Sequence, residues 1–348
     1  MTTKISPEIR STAGWKRRLR SLLGQQEIGL VAIIIVLALV VNVFNDRFLT
    51  PTNVVNLLQT VTVVGIIAVG QTYVLIAKEI DLSVGSVLAL SAITAGYLFS
   101  TGVNPWVAAI CGIVVGGIAG LVVGSIVVFG KVNSFIVTLG MLSVARGLTQ
   151  LVTGGLPQQM PQELAFIGQG RILGFVPVSV LIFIVLVVIG QIMLTRSVFG
   201  LRVTAVGDND TAARLSGIPV RSVRVVVFVL IGLLAGVAGI VYSTQVGVAE
   251  AQAGQGIELD VIAAAVIGGA SLSGGRGSIF GAFLGACLLG LVRNSFILLA
   301  LSPFLQQVSI GVVIILAALF DQARQGKLGS PKAMARSLAS RIRGGRSV

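Results

Sequence analysis

Long apolar runs dominate this chain, near residues 28–45, 53–77, 82–101, 104–129, 133–153, 175–195, 223–247, 257–272, 276–300 and 303–321. A bilayer's hydrocarbon core of about 30 Å demands apolar stretches of about 18 or more residues joined by short polar turns. A soluble protein of this size would need a charged shell. Here 55% of residues are hydrophobic, only 11% are charged, and mean hydropathy is +1.00. The separators carry turn and cap chemistry, as in Thr50-Pro51-Thr52-Asn53, Asn104-Pro105 and Leu301-Ser302-Pro303. The reading is an all-α, polytopic transmembrane helical bundle of about ten spans. Basic tails over 1–27 and 322–348 flank a membrane domain over 28–321.

The eighth run is the shortest, and it ends in Gly268-Gly269-Ala270-Ser271-Leu272-Ser273-Gly274-Gly275. It predicts a broken or re-entrant helix, which a membrane protein tolerates where other protein buries the freed backbone. The true span count then slips to nine or eight. Loops rich in Lys and Arg stay cytoplasmic. With the N-terminus inside, Lys78, Lys131, Arg196, Arg202, Arg214, Arg221, Arg224 and Arg276 join both tails on the inner face, while only Arg47 and Arg171 fall in outer loops. Both termini are therefore placed in the cytoplasm. Anchoring against anionic lipid accounts for the net charge of +13 without nucleic acid. The first run leads into further spans rather than a cleavage site, so the N-terminal segment is expected to stay attached.

Several kinds of chemistry are excluded. The chain has no histidine, which removes Ser-His-Asp and Cys-His catalysis, His-ligated metals and His proton relays. The phosphate-cradling pattern GxxxxGK[ST] is missing, because Ser125 and Asp321 stand where its first glycine belongs before Gly130-Lys131 and Gly326-Lys327. Cys111 and Cys287 sit inside apolar runs and read as small hydrophobes, with no disulfide framework or metal site implied. No catalytic residue, bound cofactor or metal is expected.

Small residues let helices approach closely in lipid, where packing drives association. Gly112, Gly116, Gly120 and Gly124 repeat every four residues, and Gly232/Gly236 and Gly281/Gly285 repeat that spacing. Packing within one chain is the preferred reading over a dimer interface.

A polar insert over 196–224 interrupts the apolar pattern. Asp208, Asn209 and Asp210 offer N-caps, Thr211 to Ser216 allows about two helical turns, Gly217 supplies a C-cap and Pro219 stops continuation. The insert predicts a short bounded helix presenting Ala212, Leu215 and Ile218 to a partner, or else a plain connecting loop.

Polar groups inside apolar runs are costly and point to function or to helix–helix hydrogen bonds. Gln71, Thr72, Thr138, Gln245 and Asn294 lie within runs, and Asn133 and Ser134 stand at an inner mouth. Each can face a solute or serve a neighbouring helix. For Arg146, an ion pair or carbonyl contact at a helix interface is preferred. Glu79, Asp81, Glu258 and Asp260 are read as lying near span boundaries, which argues against an ion-coupled transporter with midspan carboxylates. Glu250, Glu258 and Asp260 read as an outer acidic strip, either a solvated loop or a docking site for a basic partner. A membrane scaffold or receptor would not need the polar groups within the spans.

Ile80 to Ser86, Asn133 to Gly140, Gly207 to Pro219, Gly256 to Ala264 and Gly268 to Gly277 occur in order. Together they resemble the permease subunits of ribose-type sugar ABC importers, a binding-protein-dependent family, from about Asn53 to Asp321. The resemblance implies an inner-membrane permease without its own ATPase site. ATP and Mg would sit on a partner ATPase, a soluble extracytoplasmic protein would deliver a sugar or sugar-like solute, and a second permease copy would complete the channel. It further implies that Gly207, Asp208, Asp210, Ala212, Ala213, Leu215, Ser216, Gly217 and Ile218 form the ATPase coupling helix.

Overall fold

The computed structural model describes residues 26–324. Residues 1–25 and 325–348, nearly all of the two expected tails, lie outside the described residues. The helices in chain order are α1 (Gln26–Phe44), α2 (Pro51–Ile76), α3 (Val84–Ser100), α4 (Pro105–Phe129), α5 (Ser134–Thr153), α6 (Ala165–Gln169), α7 (Val178–Arg196), α8 (Val198–Asp208), α9 (Asp210–Leu215), α10 (Val220–Val246), α11 (Ile257–Ile267), α12 (Ile279–Leu298) and α13 (Pro303–Arg324). Every apolar run becomes a helix. Proline opens α2, α4 and α13, where its missing N–H costs nothing. The Asn104 carboxamide caps α4 by accepting from the Trp106 N–H at 3.0 Å, and Asn133 caps α5 through the Phe135 N–H at 2.8 Å.

Seven described helices (α1, α2, α4, α5, α7, α10 and α12) are long and apolar enough to cross a bilayer. Two of the others are short. Helix α3 has 17 residues and α11 has 11, so at 1.5 Å per residue they reach about 26 and 16 Å. The expected break at the eighth run is therefore present.

Helix α10 is the hub, packed against α2, α3 and α4. Its contact with α4 uses the predicted glycines: Gly116 lies against the Gly232 carbonyl and the Gly236 Cα, and Gly120 lies against the Phe228 carbonyl. The second glycine pair has the same use, with Gly281 against the Gly268 carbonyl and Gly285 against the Ala264 carbonyl. These contacts are all within one chain. A Cβ at Gly116 has no space without moving backbone, and overpacking of this kind costs about 1–3 kcal/mol. Gly116→Val should therefore lower the melting temperature of the detergent-purified protein by several degrees. An unchanged melting curve would show that α4 and α10 are not in such close contact.

Two segments of non-helical backbone run inside the bundle. After α2, residues 79–83 are non-helical, and Asp81 and Ser83 are almost fully buried. The Asp81 carboxylate accepts from the Ser83 N–H at 2.8 Å and from its hydroxyl at 2.7 Å, starting α3 within the protein. After α10, residues 250–256 turn inward in the same way, with Ala251 and Ala253 buried and Gly254 and Gly256 at positive φ. The two segments meet where Gly85 abuts the Gly254 carbonyl, Ile257 and the Glu258 carboxylate. Helices α2 and α10 run antiparallel: Glu79 at the end of one pairs with Arg224 at the start of the other. The chain thus follows one plan twice in opposite directions: a long helix, a buried non-helical crossing, then a short helix. Buried irregular backbone is what a membrane interior allows.

This geometry bears on the reading of the carboxylates. Asp81 and Asp260 are each 3% exposed and Glu258 is half-buried, so they are enclosed by protein and not open to solvent. The outer acidic strip does not exist as such, because only Glu250 of the three is an exposed residue. Helix α3 also begins in the interior. Its sequence, Asp81-Leu82-Ser83, reads locally as an ordinary surface cap.

Arg146 of α5 holds the second crossing, donating to the Ala251 carbonyl and, at 3.0 Å, to the Ala253 carbonyl. That is the carbonyl contact expected of it. Small two-stranded pairings finish one end: β1 (Gln158–Gln159) with β4 (Val248–Ala249), and β2 (Arg171–Ile172) with β3 (Val176–Pro177), both antiparallel.

Candidate functional site

At the end of the bundle rich in Lys and Arg, the polar insert folds as two helices. Ser197 caps α8, its hydroxyl accepting from the Gly200 N–H at 3.1 Å. Asn209, rather than either flanking aspartate, caps α9 by accepting from the Ala212 N–H at 3.0 Å. Gly217, at φ +78°, ends α9 with paired bonds: its own N–H reaches the Arg214 carbonyl and the Ile218 N–H reaches the Ala213 carbonyl, both at 3.0 Å. A helix of six residues is thereby closed at both ends.

Helix α9 has two faces. Ala213 is buried, and Ile218 packs inward against the core instead of facing out with Ala212 and Leu215. Asp208, Ala212, Ser216 and Gly217 are exposed, and Leu215 is 86% exposed, an apolar side chain with no cover in the protomer.

The base of this projection is seated against the bundle. Gly207 is buried against the Ile76 carbonyl at the end of α2 and against the Gly275 N–H, which itself donates to Ile76 O at 2.9 Å. Gly274 and Gly275, both at positive φ, complete the seat against Gly207 and Asp208. The glycine-rich stretch after α11 is thus both the helix break and the seat. A run of charges continues inward: Asp210 pairs with Arg214 at 3.0 Å and with Arg224 at 3.5 Å, and Arg224 pairs with Glu79 at 3.1 Å. The Asp210–Arg214 pair is open to water and contributes little, whereas the Asp210 oxygen that faces Arg224 is itself buried. Glu79 is nearly buried, and burial pushes its carboxyl above the ordinary range against the opposing pull of Ser134 and Arg224.

Ser134 also accepts from the Ile80 N–H at 3.3 Å, and Thr138 sends its hydroxyl to the carbonyls of Ser134 at 2.8 Å and Ile80 at 3.4 Å. The first buried crossing is therefore tied to α5 on one side and, through Glu79 and Arg224, to α9 on the other. The sequence marks Glu79 only as a boundary carboxylate, Arg224 as an inner-face cation and Gly275 as part of a helix break, and it does not mark Ile76. Their roles depend on partners more than a hundred residues away, which no local signal marks.

The other intramembrane polar residues separate into two groups. Thr72 donates to the Ala68 carbonyl at 2.7 Å, Asn133 is a helix cap, and Asn294 exchanges two 2.9 Å hydrogen bonds with Asn53. Those groups are engaged in holding helices. Gln71 is fully buried with neither amide atom hydrogen-bonded, and the buried Gln245 Nε2 also has no partner. Gln245 lines a cavity of about 520 Å³ at the opposite end, together with Asn56, Gln59, Thr60, Gln169, Tyr242 and the two cations Arg171 and Arg293. Amides, hydroxyls and a phenol beside Val63 and Ile257 give it a mixed polar and apolar wall. Among the described residues no group of His, Cys, Asp and Glu is arranged to hold a metal ion.

The sequence matches the family described as branched-chain amino acid transport system / permease component over residues 53–318. It is 39% identical over 302 residues to the ribose import permease protein of Bacillus subtilis, covering 86% of this chain and 94% of that one. The ribose import permease protein of Escherichia coli K12 is 40% identical over 301 residues, covering 85% and 93%. The L-arabinose ABC transporter permease protein of Azospirillum brasilense is 37% identical over 300 residues, covering 86% and 88%. No solved structure matches. The matched region runs from the start of α2 into α13 and so contains both buried crossings and the α8–α9 projection, and this chain belongs to that family of transport permease components.

Proposed function

We propose that the chain is the transmembrane permease subunit of an ATP-binding-cassette importer for a sugar or sugar-like solute, and that α9 is where a partner ATPase docks. The observation carrying this reading is the short helix capped at both ends, with Leu215 exposed on it and Gly207 packed on the α2 end at its base. Motion of the ATPase pair would press on α9 and pass through Asp210, Arg224 and Glu79 to the buried crossing at 79–83. A nucleotide can shift the bundle between inward-facing and outward-facing states only by differential affinity for the two. ATP and Mg²⁺ belong to the ATPase, an extracytoplasmic binding protein delivers the solute to the end carrying the Gln245 cavity, and a second permease copy completes the assembly. The basic end faces the cytoplasm by the positive-inside rule, in a bacterial inner membrane.

The amides and hydroxyls of the outer cavity suit a polyhydroxylated solute, beside Arg293, which is paired with Asp260, and Arg171, which has no ion pair among the described residues. Gln71 and Gln245, with uncommitted amides, are the first candidates for contact along the pathway.

Co-purification from membranes with the cognate ATPase tests the assignment. A chain in which 208–218 is replaced by a flexible Gly/Ser linker should insert normally yet lose the ATPase. Equal retention by both versions would sink the docking assignment. Uptake that proceeds without the ATPase and collapses with an ionophore would instead establish an ion-coupled transporter.

A further inference from the structure

A second cavity, of about 510 Å³, opens at the basic end between the α2–α3 turn, the α4–α5 turn and the start of α10. Its cations are Lys78, Lys131, Arg214, Arg221 and Arg224, with Glu79 the only carboxylate in its lining. Arg214 is engaged by Asp210, and Arg224 by Asp210 and Glu79. Lys78, Lys131 and Arg221 have no ion pair among the described residues, so three exposed cations converge on one concave surface without compensation.

Both lysines are held in the left-handed backbone region, Lys78 at φ 64° and Lys131 at φ 55°. For a non-glycine residue this region is sparsely populated and strained. Their two separate turns thus adopt an uncommon conformation around the same cavity.

The surroundings decide what kind of anion fits. Val127, Val128 and Val132 share the lining. Phe129 and Phe135, on the turn that carries Lys131, are 66% and 48% exposed. A free inorganic anion gains nothing from such neighbours, whereas an amphiphile can place its charge on the lysines and its chains along the aromatic and valine side chains. Basic pockets between transmembrane helices at the cytoplasmic side suit anionic lipid headgroups.

We infer that this cavity is a discrete binding site for the phosphate group of an anionic phospholipid, held by Lys78, Lys131 and Arg221. It adjoins the pairs Asp210–Arg224 and Arg224–Glu79, so a bound headgroup would compete for Arg224 and alter the link between α9 and the first buried crossing. The inference does not depend on what the permease carries.

The test uses the full chain in phosphatidylcholine nanodiscs with and without phosphatidylglycerol, with retained lipid counted by native mass spectrometry after delipidating washes. Lys78→Gln/Lys131→Gln is compared with Arg196→Gln/Arg202→Gln, which removes the same charge from exposed positions outside the cavity. At about 1 kcal/mol per basic residue, the lysine pair should retain phosphatidylglycerol about thirtyfold more weakly, and the arginine pair should behave like wild type. Lys78→Arg/Lys131→Arg should restore retention, which separates a charge effect from misfolding. Equal loss in both Gln pairs would reduce the site to diffuse surface attraction and overturn the proposal. So would retention that inorganic phosphate alone abolishes, because the ligand would then be a free anion. Loss of the ATPase with lipid retention unchanged would overturn it as well, by making the cavity part of the ATPase contact.

Discussion

Leu215→Asp should reduce ATPase retention and ATP-driven uptake by about a hundredfold while leaving the melting curve of the permease unchanged. The argument rests on exposure: at 86% accessible, this side chain stabilises nothing within the protomer, and a charge there costs the fold nothing. An apolar anchor that enters a pocket on a partner is commonly worth 2–4 kcal/mol to the complex, and a buried unpaired aspartate adds a desolvation penalty. Pull-down of the ATPase and uptake into proteoliposomes, read beside thermal unfolding, check it. Normal retention by Leu215→Asp would show that α9 is a connector and that the ATPase docks elsewhere. Ala213→Asp, by contrast, should fail to fold, because Ala213 is buried under the same helix.

The two faces of α9 illustrate how far the sequence could be read. Its existence and ends follow from local chemistry, since a cap residue, about two turns, a glycine and a proline lie within a dozen residues. Its orientation does not. Ile218 was expected beside Leu215 on an outward face, but the left-handed turn at Gly217 redirects the chain and sends Ile218 into the core. The same limit applied to the membrane domain. Hydropathy located every long helix and the break at α11, because both depend on runs of adjacent residues. It located the start of α3 at Val84 to within two residues but not its burial, because Asp81-Leu82-Ser83 makes the same cap whether water or protein surrounds it. Only contacts such as Gly85 with Gly254 and Arg146 with Ala251 fix its depth, and those join residues over a hundred positions apart. Once α3 and α11 begin in the interior, their carboxylates come with them, which is why Glu258 and Asp260 are absent from the surface where an acidic strip was expected.

The buried position of Asp260 leads to the largest stability effect expected of a single substitution. Its side chain is 4% exposed, lies in the first turn of α11 and is paired with Arg293 of α12, whose side chain is 33% exposed. Removing the arginine leaves a carboxylate with neither water nor a counter-charge, and breaking a buried pair in this way costs about 3–5 kcal/mol. The partial positive charge at the α11 N-terminus offsets only a fraction of that. Arg293→Met should therefore leave little folded protein in the membrane. Asp260→Asn should be milder, because Arg293 keeps a third of its side chain in reach of solvent. The double variant Asp260→Asn/Arg293→Met should recover most of the folded fraction, since it leaves no isolated charge. Thermal unfolding in detergent and the amount of membrane-inserted protein measure all three. If Arg293→Met alone unfolds like wild type, the pair does not hold α11 to α12, and the packing of Gly281 and Gly285 against Gly268 and Ala264 must position the second crossing without it.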